Sequence, residues 1–437
     1  MTKIRFQKKD YVLFILFKTI LDVVYVTIQQ RLFGYYGFSL AVIPERIVIG
    51  WLIFLFTGLF VQSEDRRITS VFIYTYFLLS LVPSIVYYQF NLDSSFSLVG
   101  YQFIPLIIMS LLFRVPVKNT EKSNTKRIKI SNGFLMFSVV LFLGSYLLLM
   151  IVENGIPSLD FLSFSTVYLV RSEYEASTIL TIVQNIVCKI VCPLLLFESI
   201  KEKKWFLLGF VVVVELYTYA VTGFKTYLFI LVLSVLLSIF PKLNIKKAIT
   251  IGLPLAALIT VFEHLITKDN MLYALIIERV FFLPAKIKNC YFDYFEQHEF
   301  VYFSQSSFAK AFGISSNYSI NIPNLIGEQY FGRPDMWTNT GFIADAFSNA
   351  GLIGVIIICG VLSLILLLAR KYMTEIPDPF YKAIEILFVL YFVSLNDGGA
   401  ISILFSGGML ALLLMTMFID FNYQKNADAS FAGRACV

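Results

Sequence analysis

Long apolar runs separated by short polar stretches constrain the fold of this chain more than any other feature. A helix needs about 20 apolar residues to cross the roughly 30 Å hydrocarbon core of a bilayer. Twelve candidate runs lie at 11–29, 39–61, 69–89, 98–113, 133–152, 178–198, 205–221, 226–240, 247–266, 348–369, 380–395 and 400–420. The runs at 98–113 and 226–240 are short, so tilt or re-entry is expected there. The pattern predicts an all-α polytopic membrane protein of about twelve transmembrane helices.

Composition agrees with residence in a membrane. Of the 437 residues, 58% are hydrophobic and only 15% are charged, whereas soluble domains are about 25% charged. The mean hydropathy is +0.77. The net charge of +6 does not indicate a nucleic-acid partner, because the basic residues lie mostly in short loops beside apolar runs. We therefore expect membrane lipids as the surroundings and no nucleic acid.

The distribution of Lys and Arg predicts the orientation. Cytoplasmic loops of membrane proteins carry an excess of these residues. When the N-terminus is placed inside, every inside segment carries at least two of them, as at Arg66-Arg67 and in 201–204. The outer hairpins around 34–37 and 91–97 carry almost none. An even number of spans returns the C-terminus to the inside, so we expect a multi-pass cytoplasmic-membrane protein with both termini cytoplasmic.

Two outer segments are longer than hairpins, and we expect the functional site to lie there. The sequence predicts a single integral membrane domain over 1–437, with a smaller outer segment at 153–177 and a large one at 268–339 between the ninth and tenth spans. A segment of the latter length without a role is unusual in a compact protein. Its apolar runs, such as 275–282, are too short to span, so we expect short helices on the outer membrane surface.

Basic residues on the outer side call for an explanation because this side is normally depleted of them. They are Arg31, Arg46, Arg171, Lys225, Lys268, Arg279, Lys286, Lys288, Lys310 and Arg333. A guanidinium group binds phosphate oxygens in a bidentate manner. A basic outer vestibule would therefore attract an anion such as a lipid-linked diphosphate. Contact with lipid headgroups, or local salt bridges with residues such as Glu278 and Asp335, is the alternative for each.

The start of the tenth span carries the sharpest local feature. Thr338, Asn339 or Thr340 can cap the N-terminus of the helix that follows. The positive end of its dipole would then face outward, where it can receive a phosphate or a sugar hydroxyl.

A carboxylate lies just inside this helix. Asp345 and Asn349 stand four residues apart and share one face with Gly341. A carboxylate at this depth either pairs with an outer arginine or acts as a base toward a sugar hydroxyl. Both roles remain open for Asp345.

Other side chains give weaker signals. Lys225 lies in the outer hairpin 221–226, where it either binds an anion or simply extends to the membrane surface. His298 is either a general base in the large outer segment or a solvated surface histidine. His264 and His298 are the only histidines, and no Gly-rich phosphate loop occurs, so no metal site and no cofactor are expected. The energy source is then the substrate itself or an ion gradient.

Three segments resemble a known family. They are TNTGFIADAFSNAGLIG at 338–354, TGFK at 222–225 and GIPS at 155–158. Together with many spans and a dominant outer loop late in the chain, they resemble the Wzy-type oligosaccharide repeat-unit polymerases of bacterial O-antigen and capsule synthesis. The resemblance implies a metal-independent glycosyltransferase of the membrane-embedded GT-C class, without a cofactor, in the bacterial cytoplasmic (inner) membrane.

The resemblance also implies substrates and partners. A growing glycan would move from one undecaprenyl diphosphate carrier to the non-reducing end of a newly flipped, lipid-linked repeat unit, so the chain is expected to bind undecaprenyl-diphosphate-linked oligosaccharides. A chain-length regulator and a flippase are the expected protein partners. In the family, outer-loop arginines are thought to hold the diphosphate, and Arg171, Arg279 and Arg333 fit that position here. An RX10G pattern reported in some members follows none of these three arginines.

The resulting site hypothesis has two groups. The catalytic candidates are Asp345, Arg279 and Arg333, with Asp345 as the base. The substrate-binding candidates are Arg171, Lys225, Asn339, Thr340, Asn349 and His298.

Two other functions compete with a polymerase. A flippase or other transporter for the same lipid-linked glycan also fits twelve spans with both ends inside, although transporters of this plan usually have short outer loops and internal repeats. An O-antigen ligase shares the donor and the fold and differs only in its acceptor. The sequence does not separate a polymerase from a ligase.

Overall fold

The computed structural model describes residues 8–61, 68–115, 132–157, 167, 170–171, 174–240, 244–267, 270–306, 309 and 312–419. Within these ranges the protein is all-helical, without a β-strand. Parts of several predictions lie outside the described residues. These are Lys268, Lys310, most of the smaller outer segment including Ser158, the basic stretch at 118–129 and both ends of the chain.

The helices follow the apolar runs closely. They are α1 Lys9–Tyr36, α2 Pro44–Gly58, α3 Ile68–Phe90, α4 Phe96–Leu112, α5 Asn132–Asn154, α6 Thr178–Lys201, α7 Trp205–Thr222, α8 Lys225–Ile239, α9 Ile245–Ile266, α10 at 273–295, α11 Ile322–Phe331, α12 Phe342–Met373, α13 Asp378–Asp397, α14 Ala400–Leu404 and α15 Met409–Phe418. Short π-helical stretches interrupt α1, α3 and α6, and the first half of α10, Tyr273–Phe282, is π-helical. The last apolar run, at 400–420, forms two helices because the chain turns at Gly408, whose φ is +98°.

Six helices in the described part of the chain are long and apolar enough to cross a membrane, namely α1, α3, α6, α7, α9 and α12. Six such helices are typical of a multi-pass membrane protein. Shorter apolar helices, including α4 and α8, coincide with the two runs expected to be short.

The chain comprises two compact units, and the prediction of a single membrane domain over 1–437 stays a prediction. Unit 1 comprises Met1–Val117, Asn244–Leu367 and Val389–Ile401. Unit 2 comprises Lys118–Leu243, Leu368–Phe388 and Ser402–Val437. The apolar runs resemble one another along the whole sequence and therefore carry no signal of this division.

The core of unit 1 is built around α3. Every residue from Ile68 to Phe90 is buried, and α1, α2, α4, α9 and α10 pack against it. Aromatic rings fill the spaces between these helices, for example Phe14 against Phe77 and Tyr25 against Phe282. Such edge-on and tilted ring contacts are the preferred geometry for aromatic pairs.

A buried ion pair ties three helices of unit 1 together. The sequence places Lys18 and Asp22 four residues apart in α1, and the structure confirms that they pair, at 2.6 Å. The Lys18 ammonium also donates to Gln89 Oε1 on α3 at 2.7 Å and lies 3.9 Å from the centre of the Trp51 ring on α2. A Cβ at Gly50 would lie 2.5 Å from Gln89, so only glycine leaves room for this glutamine.

The large outer segment differs from its predicted form in its first helix. The sequence predicts short surface helices over 268–339, whereas α10 runs over 273–295 and is almost fully buried from Leu283 to Phe295. The polar side chains that suggested a surface helix have partners inside unit 1. Lys286 donates to the Tyr36 carbonyl, and Asn289 donates to the Asp93 carbonyl at 3.2 Å. The ten-residue helix α11 fits the expected form.

The core of unit 2 is an apolar cluster between α5, α6, α7 and α8. Its buried members include Leu143, Val187, Val211, Val214 and Leu231. A hydrogen bond of 3.0 Å between the Tyr146 and Thr218 hydroxyls joins α5 to α7 inside it.

Candidate functional site

Helix α12 is broken near its N-terminal end. Ala350 and Gly351 leave helical geometry, and Gly351 has φ +58° and ψ −148°, a conformation that is essentially restricted to glycine. The break separates a short helix at 342–349, which carries Asp345, from an apolar helix at 352–373. The sequence predicts the tenth span at 348–369. The break therefore lies in the first turn of this predicted span.

A neighbouring loop satisfies the backbone groups that the break exposes. The amide groups of Val301 and Tyr302 donate to the carbonyls of Ser348 and Asn349, both at 2.9 Å. The Phe303 amide donates to Asn349 Oδ1 at 2.8 Å. Tyr302 and Phe303 reach these positions with φ values of +53° and +59°, which costs about 1–3 kcal/mol for each residue. Broken helices whose backbone is satisfied by protein are typical of binding sites in membrane proteins.

Asp345 lies on the short helix with its carboxylate available. It is half-buried, and a Cβ added at Gly399 would lie 2.6 Å from its Oδ2, so the carboxylate contacts the Asn396–Gly399 turn. Among the described residues no side chain donates a hydrogen bond to this carboxylate or forms an ion pair with it. Its backbone carbonyl accepts from Ser348 Oγ at 2.8 Å and Asn349 Nδ2 at 2.7 Å, so the main chain around it is fixed.

A buried lysine holds the same turn. Lys288 on α10 is 2% exposed, and its ammonium donates to Asn396 Oδ1 at 2.6 Å and to Ser80 Oγ at 2.8 Å. Burial lowers the pKa of Lys288, and the negative charge of Asp397 opposes that shift. The sequence marks Lys288 as one of the outer basic residues, but it gives no reason to select this lysine from the others.

Gly341 lies between the Asn396–Gly399 turn and Lys288 and leaves room for their close approach. A Cβ at this position would lie 2.4 Å from the Asn396 carbonyl oxygen and 3.0 Å from Lys288 Cε. We define the polar cluster of unit 1 by the residues that meet here, which are Ser80, Lys288, Gly341, Asp345, Asn396, Asp397 and Gly399. The predicted polar face of Gly341 and Asp345 therefore lies against protein at this cluster.

Hydrogen bonds between α3 and α4 hold one side of the polar cluster in place. Ser80 lies in the π-helical stretch Phe77–Leu81, and its hydroxyl donates to Gln102 Oε1 at 2.6 Å. Gln102 Nε2 donates in turn to Ser84 Oγ at 2.7 Å. A fully bonded chain of this kind fixes the position of each of its members.

The three residues predicted to cap the N-terminus of α12 differ in their surroundings. Thr338 Oγ1 donates to the Pro323 carbonyl at 2.6 Å, so this hydroxyl is not available to the helix. Asn339 is exposed. Thr340 is buried, and its hydroxyl has no hydrogen-bond partner among the described residues. Asn349 uses its amide to hold the break, as described above, rather than to present a free polar group.

The two arginines predicted to be catalytic form local salt bridges. Arg279 is 64% exposed and lies 3.6 Å from Glu278. Arg333 is 54% exposed and lies 2.8 Å from Asp335. Neither pairs with Asp345. An exposed pair such as Arg333 with Asp335 contributes only about 0–1 kcal/mol. Glu278 is buried, but the Arg279 guanidinium itself is exposed, so both guanidinium groups are accessible to an anion.

Two predicted binding residues belong to unit 2. The Arg171 guanidinium lies 5.1 Å from the centre of the Phe224 ring. In the same hairpin, Gly223 has φ +64°, and a Cβ there would lie 2.7 Å from the Val167 carbonyl oxygen. Lys225 is exposed at the start of α8. The hairpin therefore packs closely on the backbone of Val167 and Arg171.

His298 lies at the surface of unit 1. Its ring stacks on the Tyr294 ring with 3.9 Å between the centroids, and Nδ1 is 2.8 Å from the Tyr294 carbonyl oxygen. The structure does not bring His298 to the polar cluster.

The arrangement offers general-base chemistry more than metal chemistry. In the described ranges no group of three or more His, Cys, Asp and Glu side chains is placed to hold a metal ion. The half-buried Asp345 carboxylate, in contrast, is free to accept a proton from a bound hydroxyl. Comparison with protein-family models, with curated proteins and with solved structures finds no match.

Proposed function

We propose that the protein is a polysaccharide polymerase, a metal-independent glycosyltransferase that joins undecaprenyl-diphosphate-linked oligosaccharide repeat units on the outer face of the bacterial cytoplasmic membrane. The proposal includes a GT-C-like fold with about twelve spans and both termini in the cytoplasm. Its main support is the unpaired Asp345 carboxylate on the short helix of a broken α12. This helix lies within the segment 338–354, where the resemblance to the polymerase family is strongest.

Asp345 has the properties of the base that the reaction requires. It would take the proton from the acceptor sugar hydroxyl while the hydroxyl oxygen attacks the anomeric carbon of the donor glycan. The bond between that carbon and the diphosphate oxygen breaks, and undecaprenyl diphosphate leaves with the electron pair. The diphosphate already activates the donor, so no nucleotide is required.

The cations of unit 1 have separate roles in this proposal. Arg279 and Arg333 are exposed and can exchange their local carboxylate partners for the diphosphate of the donor. Lys288 is buried and therefore keeps the Asn396–Gly399 turn beside Asp345. Thr340, with its unpaired hydroxyl, is the group of the predicted cap best suited to bind a sugar hydroxyl.

A flippase for the same lipid-linked glycan is the second candidate, because broken helices also form the substrate sites of transporters. Deletion of the gene separates the candidates when surface glycan and lipid-linked intermediates are both analysed. A polymerase predicts that single repeat units still reach the outer surface while long chains disappear. Loss of even single repeats from the surface would favour the flippase. Accumulation of long lipid-linked chains that reach no other acceptor would favour an O-antigen ligase.

A further inference from the structure

An isolated carboxyl group lies in the core of unit 2. Glu215 is 2% exposed and lies near the middle of α7, far from both helix ends. Both of its carboxyl oxygens are buried without a hydrogen-bond partner in the described part of the chain, and no described lysine or arginine forms an ion pair with it. Neither the resemblance nor the polymerase proposal gives this residue a role.

The groups that face Glu215 are neutral. From α6 the thiols of Cys188 and Cys192 lie beside the carboxyl, although neither meets the geometry of a hydrogen bond to it. The phenol group of Tyr146 on α5 bonds to Thr218, one turn along α7 from Glu215, and Tyr227 on α8 belongs to the same buried cluster. The lysine next in sequence to Cys188, Lys189, is half-buried and does not pair with Glu215.

Burial of a charge in such a place is very unfavourable. An ionised carboxylate without a cation or hydrogen-bond donors loses its hydration without compensation. The neutral acid avoids this cost, since it carries only a polar O–H group. Ionisable residues within membrane-spanning helices commonly mark proton pathways for this reason.

A strip of polar side chains connects the surface of unit 2 with the neighbourhood of Glu215. The hydroxyl of Tyr174, which is half-buried, donates to Gln184 Oε1 at 2.7 Å. Gln184 Nε2 donates to the Tyr227 hydroxyl at 3.0 Å, which donates to Asn185 Oδ1 at 3.3 Å. Tyr227 packs in the same buried cluster as Cys188 and Cys192, the thiols beside Glu215. The strip is a row of polar groups in an otherwise apolar core.

We infer that Glu215 is a proton-binding site of unit 2 and that its proton exchanges with water along the strip formed by Tyr174, Gln184, Tyr227 and Asn185. The ligand is a single proton, which neutralises the carboxylate between α6 and α7. Loss of that proton places a charge inside the apolar cluster and loosens the packing of α7 on α6. This site is independent of the polymerase proposal, which uses residues of unit 1.

Infrared spectroscopy of the purified full-length protein detects the proton directly, because a protonated carboxyl has its own carbonyl band. Glu215→Gln should remove such a band from the spectrum near neutral pH. Glu263→Gln is the matched control and should leave the band, since the Glu263 carboxylate accepts hydrogen bonds from the Leu272 and Tyr273 amides at 2.9 and 3.0 Å and so has the donors that Glu215 lacks. If neither substitution removes a protonated-carboxyl band, Glu215 is ionised and the inference is overturned.

Transfer into heavy water tests the path. Deuteration shifts the same band, and the rate of the shift reports proton exchange. Tyr227→Phe, which breaks the strip, should slow the exchange several-fold. Tyr217→Phe should leave it unchanged, because the Tyr217 hydroxyl donates to the Gly155 carbonyl at 2.6 Å, outside the strip. Equal rates in Tyr227→Phe and the wild type would rule out this path.

Discussion

Lys288 donates a 2.6 Å hydrogen bond to the side chain of Asn396, and this contact fixes α10 to the turn that borders the Asp345 carboxylate. The same ammonium reaches Ser80 on α3. Elements that are far apart in the sequence therefore meet at one buried cation. The polar cluster of unit 1 depends on this cation for its shape.

Replacement of the proposed base should stop chain growth. Asp345→Asn keeps the size of the side chain but removes its ability to accept a proton, and loss of a general base lowers a rate by about 10²–10⁴-fold. We expect surface glycan of single repeats in a deletion strain that expresses this variant. The measurement is the length distribution of the glycan, together with the amount of inserted protein.

Glu328→Gln is the control for that experiment. Glu328 is an exposed carboxylate on α11 of the same unit, so its replacement should leave long chains. Long chains in the Asp345→Asn strain would remove Asp345 from the chemistry.

Lys288 and Asp397 should be coupled in their effect on stability. Lys288→Met leaves Asn396 and Ser80 without their donor, at a cost of about 1–3 kcal/mol, and it removes the cation that attracts Asp397. With Asp397→Asn already present, the same substitution should cost slightly less, because that attraction is already absent. Thermal unfolding of the four proteins in detergent gives the coupling free energy. Additive effects of the two substitutions would show that the two charges do not interact.

The break in α12 should depend on one glycine. Gly351→Ala introduces a side chain at φ +58°, ψ −148°, so we expect a loss of about 1–3 kcal/mol in the free energy of unfolding. Gly360→Ala in the same helix is the matched comparison, since a Cβ at Gly360 meets no atom within 4 Å. That substitution should be neutral or stabilise the helix by up to about 1 kcal/mol. A similar response to both substitutions would show that the break is not maintained by Gly351.

Glu278 should make the stability of unit 1 depend on pH. Burial raises the pKa of Glu278 to about 7, and Arg279 partly opposes that shift. The folded protein therefore prefers the protonated acid, so this stabilising contribution is complete below the usual glutamate pKa and is lost as the pH rises through about 7. Glu278→Gln should raise the unfolding temperature at about pH 8, by an amount equivalent to about 1–3 kcal/mol, and change it little at about pH 5. An equal change at both pH values would exclude this carboxyl as the cause.

The sequence predicts the helices well because each apolar run is a local signal. The runs at 69–89 and 205–221, for example, become α3 and α7 with ends shifted by about a residue. The shared face of Gly341 and Asp345 is likewise predicted by helical spacing alone. The pairing of Lys18 with Asp22 is local in the same sense, and the structure confirms it.

The polar cluster cannot be predicted from the sequence, because its contacts join residues that are far apart along the chain. Lys288 lies 208 residues from Ser80 and 108 from Asn396 along the chain. No periodicity or spacing links residues so far apart. The burial of α10 cannot be predicted for the same reason. Its charged residues indicate a surface helix, and their partners lie in other helices.

Reconstitution tests the proposed function most directly. The purified protein, in vesicles that contain undecaprenyl-diphosphate-linked single repeat units, should produce lipid-linked chains of increasing length without a nucleotide, and Asp345→Asn should leave the units single. If the wild-type protein lengthens no chain and instead moves the lipid-linked units from one leaflet to the other, the protein is a transporter and the polymerase proposal is wrong.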